Sequence, residues 1–179
     1  DVESAARLDL QSALLESALG RLLEHDGILL VVEPALRGDA RNLQQLRARA
    51  LSAGAIVVAP CLHQSQCPLL TRETDWCHED RAVDLPDWLV PIARLAGLRW
   101  EGLTFSFLAL SASGPTLAEA LRRPGAGVAL TRAVSAPRVT KGKTELTVCG
   151  DHLGNVGLLD RDVRPNNRPL VSARRGDVL

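Results

Sequence analysis

Apolar residues in the first third of the chain follow two different spacings. They recur every four positions over residues 2–25, which predicts an amphipathic helix. Its predicted apolar face carries Ala6, Leu10, Leu14, Ala18 and Leu22, widened by Leu15, Leu19 and Leu23. Residues 28–32 and 55–59 are continuously apolar, as is typical of strands buried on both faces of a parallel sheet. A second helix is predicted between them over residues 39–53, so this part is expected to be α/β with a right-handed crossover.

The rest of the chain shows shorter and weaker patterns. Residues 60–82 are irregular and rich in cysteine. Beyond them we predict a short helix at residues 86–97, a strand at 103–111 and a helix or turn at 115–123. Two further strands are predicted at residues 127–134 and 144–149, and a hairpin return at 155–159. The first of these helices is expected to bury four apolar side chains, Trp88, Leu89, Ile92 and Leu95. The last twenty residues are rich in Arg, Pro and Asn and predict no regular element.

Composition and charge narrow the class of protein. Hydrophobic residues make up 46% and charged residues 23%, the balance of a folded globular protein rather than a disordered one. No apolar run reaches the roughly 20 residues that cross a bilayer, and the acidic start does not resemble a signal peptide. The absence of methionine predicts that the chain is a piece of a longer protein or a processed product. Residues 1–121 carry 10 basic and 16 acidic side chains, whereas residues 122–179 carry 11 and 5. The basic C-terminal third fits an anionic partner such as RNA, or a solvated surface.

Four cysteines carry the clearest chemical signal. Three fall within 17 positions and the fourth ends a predicted strand far along the chain, at Cys61, Cys67, Cys77 and Cys149. Four thiolates suit a tetrahedral zinc site or a four-iron cluster. His63 and His78 lie close enough in sequence to replace a cysteine or to support one. The spacing matches no paired C-x2-C zinc motif, so free structural cysteines and two disulfides also remain open at this point.

Several segments together resemble one known family. Residues 60–69, Pro-Cys-Leu-His-Gln-Ser-Gln-Cys-Pro-Leu, followed by Asp-Trp-Cys-His at residues 75–78, resemble the signature of a methyltransferase-like family of the small ribosomal subunit. That family occurs in mitochondria and in bacteria. The strand ending in Glu-Pro at residues 27–34, the Phe-Ser-Phe-Leu strand at residues 105–108 and the Ala-Arg-Arg-Gly-Asp tail at residues 173–177 follow in the family's order.

The resemblance implies a fold and a metal. Residues 1–179 would form the C-terminal part of a Rossmann-like class I methyltransferase domain, with residues 60–82 as a cysteine-rich metal-binding loop. The implied ligands of a 4Fe-4S cluster, with zinc as the alternative, are Cys61, Cys67, Cys77 and Cys149. S-adenosylmethionine would bind only if an upstream half supplied the cofactor loop, because the nearest glycine-rich stretch here, at residues 124–127, is predicted to be a turn.

The resemblance also implies a role on the ribosome. The chain is expected to act in assembly or translation as a methyltransferase-like protein associated with the small subunit and its 16S-type rRNA. An active rRNA methyltransferase and a zinc-stabilised RNA-binding module are the alternatives, and no catalytic residue is assigned. The expected location is the bacterial cytoplasm or the mitochondrial matrix, with no membrane partner. Candidate phosphate contacts in the tail are Arg161, Arg164, Arg168, Arg174 and Arg175. The acidic residues around the cysteines are expected to form a solvated rim, at Asp75, Glu79, Asp80 and Asp84.

Overall fold

Two antiparallel sheets and two long helices organise the chain. The computed structural model describes residues 2–97, 102–122 and 129–179, so the turn predicted at residues 124–127 lies outside the described residues. The helices are α1 (Val2–Ser17, continued by a π-helical turn at Ala18–Leu22), α2 (Arg37–Ser52), α3 (Val90–Leu95), α4 (Leu117–Leu121) and α5 (Arg168–Ser172), with 3₁₀ turns at Pro68–Thr71 and Asp160–Asp162. The strands are β1 (Leu29–Pro34), β2 (Ile56–Ala59), β3 (Glu79–Arg81), β4 (Leu103–Ser111), β5 (Arg132–Ala133), β6 (Arg138–Thr140), β7 (Lys143–Cys149) and β8 (Leu153–Leu159).

The first sheet places a late strand between two early ones. Its order is β1, β4, β2, and β3 pairs with the beginning of β4. Every pairing is antiparallel, so β1 and β2 run in the same direction on either side of β4. The α/β composition is confirmed, but the predicted parallel sheet with neighbouring β1 and β2 is wrong. The pattern of residues 28–59 could not reveal this, because the separating strand comes more than forty residues later.

The main core lies between this sheet and the helices α1 and α2. Leu108 and Leu110 of β4 pack there with Leu43 of α2 and with Leu8 and Leu15 of α1. The predicted face of α1 is therefore confirmed at Leu15 and Ala18, which are buried, but it is wrong at positions 10, 14 and 22, which are exposed. A strict repeat of four residues drifts by about 40° around a helix at each step, whereas residues seven apart return to nearly the same face.

Two predicted burials are absent from the described residues. Leu30 and Val32 of β1 are 59% and 55% exposed, because α1 and α2 cover only the other face of the strand. The helix predicted over residues 86–97 is shortened to α3, which buries Ala93 rather than the four predicted side chains. Trp88 is 71% and Leu95 90% exposed. A helix of six residues is too short to form a continuous apolar stripe.

The second sheet is built on the β7–β8 hairpin. Its order is β5, β7, β6, and β8 pairs with β7 over seven residue pairs, which confirms the predicted hairpin. The strand predicted over residues 127–134 is limited to β5 in the described part of the chain. The tail is more ordered than predicted, because it lies along β5. The backbone N–H of Ala133 donates to the carbonyl of Asp177 at 2.8 Å, and Leu179 donates to Thr131 at 2.7 Å.

An exposed ion-pair network lies on the second sheet. Glu145 of β7 accepts hydrogen bonds from Lys143 and Arg138, and these contacts lower the pKa of its carboxyl to about 2. Across the residues that the structure describes, no helix is both long and apolar enough to cross a bilayer.

Candidate metal centre

Three of the four cysteines lie in the loop between β2 and β3 of the first sheet, and the fourth lies in the second sheet. Cys61 follows β2, Cys67 precedes the 3₁₀ turn at Pro68–Thr71, and Cys77 lies just before β3. Cys149 is the last residue of β7, so the second sheet supplies the fourth sulfur. All four are free cysteines, and each thiol lies within electrostatic range of the others. They are neither scattered nor joined in disulfides.

Apolar packing surrounds the thiols. Cys67 and Cys77 are 6% and 9% exposed and form a small buried cluster with Leu69 and Val134, against which Cys149 packs. Burial is the largest effect on all four thiols and raises the pKa of each, that of Cys149 to about 12. Without a metal, the thiols are therefore protonated at neutral pH. A metal ion would have to displace these protons, which couples metal binding to folding and to pH.

Two of the sulfurs have a side-chain nitrogen within hydrogen-bond range. The Nη1 of Arg132 lies 3.8 Å from the Sγ of Cys77, and the Nε2 of His63 lies 3.8 Å from the Sγ of Cys149. The Nδ1 of His63 lies 2.8 Å from the Ser65 hydroxyl, so with that hydroxyl as donor the proton is left on Nε2, facing the sulfur. The charge of Arg47 lowers the pKa of the Cys61 thiol, and the backbone N–H groups of Leu69 and Leu70 lower the pKa of the Cys67 thiol, in both cases against the larger effect of burial.

Arg47 of α2 is a buried positive charge beside the cysteines. Its side chain is fully buried, and it donates at 2.7 Å to the backbone carbonyls of His63 and Ser65. No carboxylate forms an ion pair with it within the described ranges. A buried cation without a counter-charge is costly. The Cys61 thiol beside it would supply that counter-charge if it were a metal-bound thiolate.

A second buried arginine is compensated within the protein. Arg132 forms an ion pair with Glu79, which is 2% exposed and also pairs with Arg81 at 3.1 Å. The prediction of a solvated acidic rim is therefore wrong at Glu79, which positions Arg132 beside Cys77. The sequence shows three acidic residues within three positions of Cys77, and only pairing with a distant arginine distinguishes the buried one.

Hydrogen bonds from the first sheet and α2 fix the cysteine loop. Arg41 donates to the carbonyls of Arg72 and Asp75 at 2.6 and 2.8 Å, which holds the segment between the second and third cysteines. The side-chain amide of Gln64 pairs with both backbone groups of Val57 in β2. The hydroxyl of Ser106 donates to the carbonyl of Cys77 at 2.7 Å.

Sequence reasoning missed the arginines of α2, although a signal was present. Arg47 lies four residues after Leu43 and three before Ala50, within the apolar stripe of the helix. An arginine at such a position must be buried with a partner or break the packing of the helix. The helical pattern by itself therefore marks Arg47 as a buried cation with a structural or functional role.

The thiols do not form a compact single-ion site. Among the described residues, no group of three or more His, Cys, Asp or Glu side chains is arranged to hold one metal ion. Tetrahedral zinc with bonds of about 2.3 Å would bring its sulfurs to about 3.8 Å from one another. A four-iron cluster has its irons and sulfides between the thiolates, so its protein sulfurs stand farther apart.

The arginines of the tail that were predicted to contact RNA fall into two groups, those bonded within the protein and those exposed to solvent. Arg175 is half-buried and held by Asp80 at 2.7 Å, and Arg164 donates to backbone carbonyls of its own loop at 2.9 Å. The side chains of Arg161, Arg168 and Arg174 are exposed. Their role in binding phosphate stays a prediction.

Comparison with known proteins identifies a matching family. A family model described as mitochondrial small ribosomal subunit Rsm22 matches residues 8–156, which include all four cysteines. No curated protein matches the chain.

Proposed function

Because the chain belongs to the methyltransferase-like family of the mitochondrial small ribosomal subunit protein Rsm22, we propose that it acts in assembly or translation of the small subunit and holds a structural 4Fe-4S cluster. Cys61, Cys67, Cys77 and Cys149 are the proposed ligands. The domain would be the C-terminal part of a Rossmann-like methyltransferase. Its place of action would be the mitochondrial matrix in a eukaryote or the cytoplasm in a bacterium.

Arg47 is the observation that carries the proposal of a metal–thiolate centre. A fully buried guanidinium that lacks a carboxylate partner fits a neighbouring site with negative charge. Four thiolates around a four-iron cluster supply such a charge, whereas four neutral thiols do not. The nitrogens beside the sulfurs of Cys77 and Cys149 support the same conclusion, since hydrogen bonds to the sulfurs stabilise clusters and tune their potentials.

The cluster would serve as a cross-link. When bound, it supplies four metal–thiolate bonds that join the loop at residues 60–82 to the end of β7. The side chains of this chain do the rest: Arg47 and Arg41 order the loop, and Arg132 orients towards Cys77. Zinc is the alternative occupant.

The metal content of protein purified without air tests the cluster. Iron and acid-labile sulfide in equal amounts, near four of each per chain, with a broad visible absorption band, are expected. Zinc near one equivalent without sulfide would replace the cluster with a zinc site. Four reduced thiols and no metal would overturn the metal proposal in either form.

The exposed arginines of the tail are the proposed contacts to rRNA. Co-sedimentation with purified small subunits at increasing salt tests the partner, because phosphate contacts weaken as salt rises. Failure to co-sediment at low salt would overturn the ribosomal role. An active rRNA methyltransferase is the second candidate function, and S-adenosylmethionine binding by the full-length protein separates it from a non-catalytic factor.

A further inference from the structure

A cleft of about 710 Å³ lies beside the cysteines, outside the proposed ligand set. One wall is the loop around Arg72 and Trp76, and the other is the β7–β8 hairpin with Thr147 and Asn155. Its volume falls in the range of ligand sites, which is about 300–1,000 Å³. The cleft is therefore large enough for a nucleotide, and both the cysteine loop and the second sheet contribute to it.

An aromatic pair forms part of the wall. The rings of Trp76 and His78 are stacked, with centroids 5.8 Å apart and planes inclined by 25°. The indole N–H of Trp76 donates to the carbonyl of Ala35 at 3.0 Å, which fixes the ring before any ligand arrives. An immobilised aromatic ring loses little entropy when a base stacks on it.

Polar groups in the cleft remain available to a ligand. The guanidinium of Arg72 is exposed and has no hydrogen-bond or ion-pair partner in the part of the chain that the structure describes. The side-chain oxygen of Asn155 accepts from Thr147 at 2.9 Å, which leaves its amide NH₂ as a free donor.

We propose that this cleft binds one nucleotide of single-stranded RNA. The base stacks on the Trp76–His78 pair, the phosphate contacts Arg72, and the Asn155 amide donates to an edge of the base or to the sugar. Stacking rings beside a guanidinium and an amide are the groups that recognise unpaired RNA nucleotides. This inference rests on the proposed ribosomal function and names the site at which the RNA would bind.

A second cavity shows why the chemistry points to the first. It has about 670 Å³ and is lined by Arg81, Leu103, Thr104 and Arg175 among others, without an aromatic ring. Two of its three guanidiniums are paired, because Arg81 pairs with Glu79 and Arg175 pairs with an aspartate. A cavity of similar size thus lacks the aromatic stacking surface that recognises a base.

Anisotropy of a labelled 12-nucleotide single-stranded RNA measures the affinity of the full-length protein as purified. Arg72→Ala and Asn155→Ala are chosen because both side chains are exposed and their loss should not unfold the chain. Each is expected to weaken binding by about 5- to 20-fold, and Arg72→Ala should also lower the salt slope by about 0.7. Arg94→Ala is the matched control, an exposed arginine of α3 outside the cleft. Equal affinities for Arg72→Ala and Arg94→Ala would overturn the proposal.

Fluorescence of Trp76 reports stacking directly. In a Trp88→Phe, Trp100→Phe background, Trp76 is the one tryptophan left in the sequence. Quenching of its emission on RNA binding is expected, and tight binding without any change in emission would show that the base does not stack there.

Two outcomes separate this inference from the proposed function. If the protein co-sediments with small subunits but does not bind the RNA strand, the cleft assignment fails and the ribosomal role stands. If Arg72→Ala and Asn155→Ala abolish co-sedimentation yet leave RNA affinity unchanged, the cleft binds a protein, and the nucleotide site is refuted. Absence of both kinds of binding would refute both.

Discussion

Replacing Arg47 by methionine removes the charge that the metal centre is proposed to compensate. Methionine fills a similar space without a donor, so the two carbonyls at 2.7 Å, of His63 and Ser65, lose their partner in a buried region. Hydrogen bonds from charged groups contribute about 1.5–3 kcal/mol each. Relief of the buried charge offsets part of this loss. We therefore expect Arg47→Met to lower the free energy of unfolding by about 3–5 kcal/mol.

Arg49→Met is the matched control on the same helix. Arg49 is exposed and pairs with exposed Asp9, and such surface pairs contribute under about 1 kcal/mol. For a chain of this size, about 4 kcal/mol corresponds to a fall in Tm of roughly 8–16 °C. Urea unfolding followed by circular dichroism, without air, measures both variants. Equal losses for Arg47→Met and Arg49→Met would refute the assigned role of Arg47.

The same pair of variants tests the charge argument. In metal-loaded protein, Arg47 offsets the charge of thiolates, whereas in metal-free protein the thiols are protonated because burial raises the pKa of Cys61. The loss caused by Arg47→Met should therefore be larger in the loaded protein by at least about 1 kcal/mol. An identical loss in both states would show that Arg47 only holds the loop and does not compensate the centre.

Three further changes probe other parts of the structure. Cys149→Ser is expected to lose bound iron and to lower Tm, since it removes the ligand from the second sheet; unchanged iron content and melting would exclude Cys149 as a ligand. Glu145→Gln should reduce the acid sensitivity of unfolding, because a folded pKa of about 2 means that the ion pairs contribute above the ordinary value of 4.5 and are lost as pH falls towards 2. If the free energy of unfolding, measured with urea, changed equally for wild type and variant between about pH 6 and pH 3, this expectation would be contradicted. Gly176→Ala should cost about 2 kcal/mol in urea unfolding, because its φ is +93° and the added methyl would collide with the Glu79 carboxylate; wild-type stability would contradict the close approach.

Local patterns predicted the elements better than their arrangement. The strand at residues 103–111 agrees with β4 to the residue, and the hairpin return was expected near its place. The sheet order could not be predicted, because β4 inserts between β1 and β2 through pairings that no local period encodes. For the same reason the exposed face of β1 was missed, since a continuous apolar run does not show how many of its faces a partner covers.

The candidate site was likewise predicted only in part. The four cysteines were identified from spacing and resemblance, and the structure brings their thiols together. Their supporting residues were missed because they come from distant segments. Arg47 lies on α2, before the loop that it orders, and Arg132 lies more than fifty residues after Glu79. Contacts between residues so far apart in the sequence depend on how the two sheets pack together. Neither the composition nor the spacing of apolar residues specifies that packing.

The two sheets are joined by polar contacts and thiols rather than by one continuous apolar core. The main core of the first sheet and the core of the β7–β8 hairpin form separate clusters, and the cysteine cluster lies between them. Beside it, Glu79 pairs with Arg132, and Asp80 pairs with Arg175 from the tail. Ion pairs fix orientation well but add little net stability, because desolvation offsets the attraction of the buried pair and solvent screens the more exposed one. Metal–thiolate bonds that include Cys149 would add binding energy at this junction.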